Sequence, residues 1–367
     1  MPTWIIRCGW LLVAATLGNQ SIAQQTRVEM SLKESVSRGV RFLQSGQQRD
    51  GSWLFRGHNV GITALAGLAL LEGGLSATDP QLIHAHDYIL KDATATDQTY
   101  DISVILLFLD RYGSKEDTQL MLKLGERLVA GQLVSGGWTY VCSQSAGSTG
   151  TSGQSPAPFT IEADIANNAN TQFAVLGLWA ARRAGLDVRE AMNRVQQRFQ
   201  ATQDRGGRWH YRPGVKLTTD AMTCAGLVSL LMTKTSQSDH ERKPLQSDSA
   251  SEADLRTIPH DEFIDRALRR VARIRMESDS SMHLTWSIGL VGHALRSAQL
   301  GSLPWHERGT TILLRRQNRD GGWNHSKPIP PSSRTADTAF AILFLQQSNL
   351  TRGVASLQRT PIEYGSE

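Results

Sequence analysis

One spacing occurs four times in this sequence: a Gln is followed by a Gly four positions later and by a Trp six positions later. The chain contains only nine Trp, so four of them in one register indicate a structural repeat. A repeat requires the same supersecondary unit to recur along the chain, which constrains the fold more than any local pattern does. The pairs are Gln47/Trp53, Gln132/Trp138, Gln203/Trp209 and Gln317/Trp323.

Each copy of the spacing has the composition of a turn between two helices. The Gln ends an amphipathic segment such as Leu32 to Leu43, where its amide can hydrogen-bond helix carbonyls that lack partners. The Gly permits the positive φ of a sharp reversal. The Trp offers a large apolar surface that packs the turn against the next helix. We therefore predict that the four Trp serve packing.

Apolar and amphipathic segments alternate along the chain. Apolar helices are buried best as an inner ring within an outer ring of amphipathic helices, so this alternation predicts an all-α fold, an α/α toroid. The apolar segments open at six hydroxyl residues: Thr63, Ser103, Thr171, Thr223, Ser287 and Thr338. The six amphipathic segments are residues 30–46, 80–92, 115–131, 187–202, 260–276 and 304–317. The units around Ser103 and Ser287 lack the Gln/Trp turn.

The N-terminal segment has the pattern of an export signal. One positive charge precedes an apolar stretch, Cys8 to Gly18, that is too short to span a bilayer, and Ser21-Ile22-Ala23 has the small-x-small form of a cleavage site. Residues 1–23 are therefore predicted to be a signal peptide, with a membrane anchor as the alternative. We expect the protein to be exported to the periplasm or the extracellular space.

Residues 24–348 are predicted to form a single toroid domain, followed by a C-terminal tail at 349–367. Two polar segments, 143–158 and 233–259, have the composition of flexible insertions within that domain. The formal net charge of +5 comes without a dense basic block, so nucleic-acid binding is not supported. Only His84 and His86 among the ten His lie close together, so no metal site is predicted. Whether Cys142 and Cys224 pair is left open.

The turns QQRDGSW, QLVSGGW, QDRGGRW and QNRDGGW resemble the QW repeats of the squalene cyclase and protein prenyltransferase superfamily. The resemblance covers nearly all of the chain after residue 23 and extends to exported bacterial proteins with prenyltransferase and squalene-oxidase repeats. It implies an α/α toroid whose inner ring encloses an apolar cavity, with the mouth of that cavity at helix N-termini. It implies no particular activity, because the fold occurs in enzymes and in non-enzymes.

Neither catalytic site of that superfamily is complete in this sequence. Triterpene cyclases of the bacterial type carry Asp-x-Asp-Asp-Thr, whereas the nearest segment here is Arg-Thr-Ala-Asp-Thr at residues 334–338. Arg334 is expected to lower the pKa of Asp337, which opposes proton donation. The Asp, Cys and His that hold zinc in protein prenyltransferases are missing too, so we predict no cofactor.

Polar residues near the hydroxyl positions are predicted to lie at the mouth of the cavity. Asp and Asn before an apolar helix also act as N-caps, which is the simpler interpretation of most of them. The candidates for catalysis are Asp220, Asp337 and His283, and the candidates for the cavity rim are Asp101, Asn167, Asn170, Trp286 and Arg334. Asn168, Glu162 and Asp164 lie close enough in sequence to reach the same rim.

The sequence leaves three functions open. The first, which we favour, is an exported toroid that binds an apolar or isoprenoid-like ligand without the standard acid cluster or zinc site. The second is an isoprenoid cyclase or transferase with a non-standard acid, and the third is a protein-interaction scaffold. A ring packed solid by side chains argues against the first two, whereas a buried carboxyl group with a raised pKa favours the second. Contact with a membrane surface and the oligomeric state stay open.

Overall fold

Twelve α-helices alternate between outer and inner positions in the described parts of the chain. The computed structural model describes residues 31–142, 164–215, 219–241, 257–258, 261–297, 299–324, 333–351 and 356–357. The outer helices are α1 (31–46), α3 (Pro80–Asp92), α5 (Thr118–Ala130, after a 3₁₀ turn at Lys115–Asp117), α7 (Arg189–Thr202), α9 (Glu262–Val271) and α11 (Trp305–Arg316). The inner helices are α2 (Asn59–Glu72), α4 (Thr99–Tyr112), α6 (Asn168–Arg183), α8 (Asp220–Glu241), α10 (Met282–Ala294) and α12 (Arg334–Leu345).

The inner helices close into a ring. Each of them contacts the next inner helix in the chain, and α12 returns to contact α2. They are buried on all sides, as in α2, where every residue from Val60 to Leu71 is buried. The outer helices bury one face only, which is the distribution that amphipathic segments require. The chain therefore has the predicted α/α toroid fold.

The four Trp of the repeated spacing close the C-terminal ends of outer helices. A helix leaves its last four carbonyls without intrahelical partners, and one of these accepts the indole N–H in every copy. This corrects the role predicted for the Gln side chain, because the Trp bonds the terminal carbonyl instead. The bonds run from Trp53 to the Leu43 carbonyl (2.9 Å), Trp138 to Leu128 (2.8 Å), Trp209 to Phe199 (2.8 Å) and Trp323 to Leu313 (2.9 Å).

The four Gln side chains connect neighbouring outer helices. Each amide Nε2 donates to a backbone carbonyl in the first turns of the following outer helix around the ring. The acceptors are the carbonyls of Gln81 for Gln47, Ala191 for Gln132, Phe263 for Gln203 and Ser35 for Gln317, at 2.8–2.9 Å. The bond from Gln317 to Ser35 spans 282 positions and joins the last outer helix to the first.

The two units without a Gln/Trp turn use other side chains for the same connection. His86 of α3 bonds Asp117 before α5 (2.8 Å) and stacks on the ring of Tyr112. On the opposite side of the toroid, Arg308 and Arg316 of α11 donate to backbone carbonyls in the segment that follows α9.

The six hydroxyl residues lie about one turn inside the inner helices. The Thr63 hydroxyl donates to the Asn59 carbonyl (2.6 Å) and accepts the backbone N–H of Trp53 (2.9 Å), so it joins the turn to the helix that follows. The inner helices thus begin about one turn earlier than the apolar segments indicated. The same backbone bond runs from Trp138 to Thr171 and from Trp323 to Thr338.

One predicted boundary differs from the structure. Helix α8 continues to Glu241 with Thr233 and Thr235 buried, so the first residues of the proposed 233–259 insertion belong to an inner helix. Strand β1 (Thr257–Ile258) pairs in parallel with β2 (Ser356–Leu357), which ties the predicted tail to the end of that insertion.

Cys142 and Cys224 are both buried free thiols. The predicted signal peptide and the 143–158 insertion lie outside the described residues.

A comparison of Gly51 with Gly57 separates two effects of replacing a glycine: the strain of left-handed backbone and the loss of a close contact. Both have positive φ, +88° and +84°, but a Cβ on Gly51 would lie 2.2 Å from the His84 carbonyl oxygen, whereas one on Gly57 would meet nothing within 4 Å. We expect Gly57→Ala to cost about 1–2 kcal/mol, the penalty of left-handed backbone, and Gly51→Ala to cost clearly more. Urea unfolding of both variants measures the difference. An equal loss of unfolding free energy in the two variants would show that the close contact between Gly51 and α3 contributes nothing to stability.

Candidate functional site

The N-termini of the inner helices meet at one end of the ring. An outer helix returns the chain between every two inner helices, so the inner helices all point the same way. We call the end formed by their N-termini the mouth. The predicted rim residues on α4, α6, α8, α10 and α12 all belong to the first turns of these helices or to the residues just before them.

An aromatic cluster crosses the ring just inside the mouth. It consists of Tyr100 on α4, Phe173 on α6, His283 and Trp286 on α10 and Phe340 on α12. The Phe173 ring stacks on Trp286 with centroids 5.1 Å apart and lies 6.4 Å from Phe340. Helices α6 and α12 are on opposite sides of the ring, so the aromatic cluster spans its centre.

The five side chains of the aromatic cluster differ in exposure. Phe173, Trp286 and Phe340 are buried, whereas Tyr100 and His283 retain accessible surface. Desolvation nevertheless raises the pKa of Tyr100 and lowers the pKa of His283 to about 4. His283 is therefore neutral at physiological pH and adds no charge to the aromatic cluster.

Two buried hydrogen-bond donors in this region have no partner among the residues that the structure describes. They are the side-chain Nδ2 of Asn170 and the indole Nε1 of Trp286, with only 6% and 3% of their residues exposed. Buried polar groups normally find a partner, since leaving one unpaired costs about 1–3 kcal/mol. Both residues directly precede the hydroxyl position of their helices, so they occupy the same level of the ring. The mouth thus offers two donors and calls for a hydrogen-bond acceptor.

A polar contact between α6 and α10 orients His283. The imidazole Nε2 lies 3.2 Å from Oε1 of Gln172, and the Gln172 amide donates to the Ser287 hydroxyl at 3.4 Å. Because an amide oxygen only accepts, the neutral imidazole carries its proton on Nε2 and leaves Nδ1 as an acceptor. This bond holds the ring of His283 against Phe173.

The candidate carboxylates at the mouth differ in their partners. Asp220 is paired with Arg270 at 2.7 Å. Asp101 is buried beside His58 (3.3 Å), and its pKa is raised by burial, which outweighs the opposing effect of His58. Asp337 is buried in the first turn of α12. All three lie in first turns and none is an N-cap, which corrects that interpretation.

Arg334 does not pair with Asp337 as the sequence suggested. Its guanidinium donates to both carboxylate oxygens of Asp320, at 2.8 and 2.7 Å, and lies over the Phe42 ring at 4.7 Å. These hydrogen bonds lower the pKa of Asp320. Arg334 therefore belongs to the outer edge of the mouth, next to α1.

The Asn residues before α6 have structural roles. The Asn167 side chain caps α6 by accepting the Asn170 N–H at 2.8 Å, as the N-cap interpretation predicted. Asn168 donates to the His210 carbonyl and accepts from Arg198. Asp164 is fully buried in an ion pair with Arg198 beneath the turn at residues 132–138, away from the pocket. Glu162 lies outside the described residues.

The described residues contain no group of three His, Cys, Asp or Glu side chains placed to hold a metal ion. Nor does that part of the chain include a helix long and apolar enough to cross a membrane.

Sequence reasoning missed Tyr100, Gln172, Phe173 and Phe340. It selected mainly polar residues next to the hydroxyl positions, whereas the side chains that meet just inside the mouth are aromatic. A signal was present, because Phe173 and Phe340 follow Asn170 and Asp337 by three positions, and residues three apart share a helix face. Tyr100 has no such relation to a selected residue, and only its contact with Phe173, at 4.5 Å, places it in the cluster.

Comparisons with protein-family models and with curated proteins gave no match. Solved structures match over nearly their whole length. A variant of the type II terpene cyclase MstE from Scytonema, in complex with geranylgeranyl dihydroxybenzoate (substrate), is 12% identical with a TM-score of 0.55, covering 88% of this chain and 98% of that one. A protein from Actinoplanes is 15% identical with a TM-score of 0.53, covering 86% of this chain and 99% of the other.

The α-1,6-mannanase GH76A from Salegentibacter also matches, at 11% identity and a TM-score of 0.52, covering 87% of this chain and 99% of the mannanase. A terpene cyclase and a glycoside hydrolase thus share this fold with the chain. At such low identities the likeness establishes the α/α toroid alone, and the activity has to be argued from the site.

Proposed function

We propose that this protein binds a mainly apolar, isoprenoid-like ligand at the mouth of the toroid. The observation that carries the proposal is the aromatic cluster, in which rings from four inner helices pack together just inside the mouth. Sites for small ligands are mostly apolar with a few well-placed polar groups, and Asn170 and Trp286 supply donors that have no partner among the described residues. The ligand therefore also carries a hydrogen-bond acceptor.

The ligand lies at the mouth and does not thread through the ring. Phe173 and Phe340 meet across the centre, and the inner-helix residues beyond them, such as Ala174 and Ala341, are completely or almost completely buried. This filling argues against a deep cavity at that level. The proposed binding site is therefore the side of the aromatic cluster that faces the mouth.

The proposal also includes an isoprenoid-related role outside the cytoplasm. The terpene cyclase with the same fold is in complex with geranylgeranyl dihydroxybenzoate as substrate, and this likeness in fold motivates the choice of ligand class. The N-terminal export pattern supports the location.

A second candidate function is isoprenoid cyclisation by a non-standard acid. It is favoured by one observation, the raised pKa of the buried Asp101 beside Tyr100. The Asp101 carboxylate packs against Gly61 of α2, where a Cβ would lie 2.1 Å from Oδ1, so it faces the neighbouring helix. That orientation is why we favour binding over proton donation.

Binding is tested by titrating the protein with squalene and with geranylgeranyl diphosphate and following thermal stability and Trp fluorescence. Tyr100→Ala should weaken binding of the probe about tenfold, because a stacked aromatic contact contributes about 1 kcal/mol plus its buried area. Tyr112→Ala is the matched control, since Tyr112 ends the same helix and stacks on His86 far from the mouth. It should leave affinity unchanged.

Analysis of the products after incubation separates the candidate functions. Binding without conversion supports the proposal, whereas a cyclic product that disappears in Asp101→Asn favours the second candidate. If neither probe binds the wild-type protein, ligand binding at the mouth is refuted and the interaction scaffold becomes the better explanation.

A further inference from the structure

Two arginine-lined clefts lie on the outside of the toroid, on either side of the C-terminal half of α11. The α11 cleft, of about 430 Å³, is lined by Glu277, Ser278, Arg308, Thr311, Ile312, Arg315 and Arg316. The α1 cleft, of about 250 Å³, is lined by Arg38, Arg41, Phe42, Ser45, Arg319 and Asp320. Each cleft therefore brings together three arginines and one carboxylate.

None of these six arginines has a carboxylate within ion-pairing distance in the described parts of the chain. The four that make hydrogen bonds donate to uncharged oxygens: Arg38 to the carbonyls of Asn318 and Arg319, Arg41 to the Ser37 hydroxyl, Arg308 to the Met276 carbonyl, and Arg316 to the Ser280 and Asn324 carbonyls. Arg315 and Arg319 are exposed. The backbone orients the guanidinium groups without neutralising them.

The two carboxylates do not compensate this charge. Asp320 is held by Arg334, which is not part of the lining, so the α1 cleft keeps its three positive charges. Among the described residues that line the α11 cleft, one carboxylate, Glu277, accompanies three arginines. Burial lowers the pKa of Arg316, and the nearby charges of Asp337 and Asp279 oppose this effect.

Many arginines elsewhere on the toroid are paired. Arg111, Arg183, Arg189, Arg194, Arg198 and Arg208 each pair with an Asp or Glu. Arg127 of α5, by contrast, donates to the carbonyls of Thr94 and Thr96. The two clefts are distinguished by bringing three such arginines together in one concavity. The sequence shows no dense basic block because these residues come from both ends of the chain, and the contact between Gln317 and Ser35 brings them together.

We propose that the α11 cleft and the α1 cleft bind phosphate groups. The planar guanidinium matches two oxygens of a phosphate, and several guanidinium groups around one concavity favour a multiply charged anion over a single carboxylate. Both clefts border the mouth, because Arg316 bonds the carbonyl of Ser280 just before α10 and Asp320 bonds Arg334 at the start of α12. This inference does not depend on the aromatic pocket.

The test uses inorganic pyrophosphate, which has no apolar part. Isothermal titration at 0.15 M NaCl should show binding to the wild-type protein, and the double variant Arg315→Gln/Arg319→Gln should bind at least tenfold more weakly. Neither side chain makes a described contact that the fold needs. Arg189→Gln is the matched control, because Arg189 is an exposed arginine paired with Asp187, and it should bind like the wild type.

A second arm identifies the source of the phosphate. Vesicles of phosphatidylglycerol are compared with vesicles of phosphatidylcholine in a sedimentation assay. Retention on the anionic vesicles, displaced by pyrophosphate and lost in the double variant, assigns the clefts to lipid head groups. Binding of pyrophosphate without retention assigns them to a soluble phosphate.

Two results would overturn the inference: no binding of either probe at 0.15 M salt, or an equal loss in Arg189→Gln. Tyr100→Ala distinguishes this site from the proposed ligand pocket, since it should bind pyrophosphate like the wild-type protein.

Discussion

Asp164→Asn is expected to destabilise the protein by about 3–5 kcal/mol, the usual cost of removing one partner from a buried ion pair. The carboxylate of Asp164 and the guanidinium of Arg198 are in contact with side-chain exposures of 1% and 0%. Burial lowers the pKa of Arg198, and Asp164 is the partner that opposes this effect. The Asn variant keeps the shape of the site but leaves a positive charge uncompensated in the interior.

The surrounding hydrogen bonds increase the cost. Asp164 also accepts from the Ser135 hydroxyl (2.9 Å) and the Ala166 N–H (3.0 Å), and Arg198 donates to the Ala166 carbonyl (3.3 Å). The pair therefore joins α7 to the turn at 132–138 and to the segment that leads into α6. An Asn at position 164 can form some of these hydrogen bonds, but it cannot neutralise the charge of Arg198.

An exposed ion pair provides the comparison. Asp187→Asn removes the partner of Arg189, where both side chains are at least half exposed, and it should change the stability little. Urea unfolding at neutral pH gives both values. A loss for Asp164→Asn no larger than that for Asp187→Asn would mean that the buried pair contributes nothing beyond a surface contact.

Trp138→Ala should destabilise the protein by a similar amount, about 3–5 kcal/mol, because it removes a fully buried aromatic side chain and leaves a cavity. The indole also donates to the Leu128 carbonyl at the end of α5 (2.8 Å), which then loses its partner. Trp138→Phe keeps most of the volume and removes this bond, so it should cost about 1–3 kcal/mol.

Val134 lies in the same turn and is 72% exposed, so Val134→Ala is the matched control and should change stability by less than about 0.5 kcal/mol. Thermal and urea unfolding of the three variants should show the largest loss of stability for Trp138→Ala, a smaller loss for Trp138→Phe and the smallest for Val134→Ala. If Trp138→Phe were as stable as the wild type, the indole bond to α5 would have no role in the turn.

The outer helices show how far the sequence pattern reaches. The segments predicted at 80–92 and 304–317 agree with α3 and α11 to within a residue at each end. Their boundaries are local features: Asp79 caps α3 ahead of a Pro, and Gln317 ends α11 with extended backbone. The inner helices were predicted about one turn short, because their first turns carry polar residues that face the mouth.

The candidate site was predicted only in part. Asn170, His283 and Trp286 lie where the hydroxyl register indicated, and the aromatic cluster includes two of them. The partners of the charged candidates could not be predicted, since Asp220 and Arg334 pair with Arg270 and Asp320, residues 50 and 14 positions away. Spacing along one helix carries no information about a partner on another.

The sequence by itself determined the repeat, the alternation of inner and outer helices and hence the toroid. The reason is that the burial and periodicity of a helix follow from its local pattern of apolar and polar residues. It also located one end of the ring through the hydroxyl register. Only the tertiary structure decided which side chains meet at that end, which arginines are left without a carboxylate, and that Trp rather than Gln closes the outer helices. Those outcomes depend on distances between helices far apart in the chain, which closure of the ring sets.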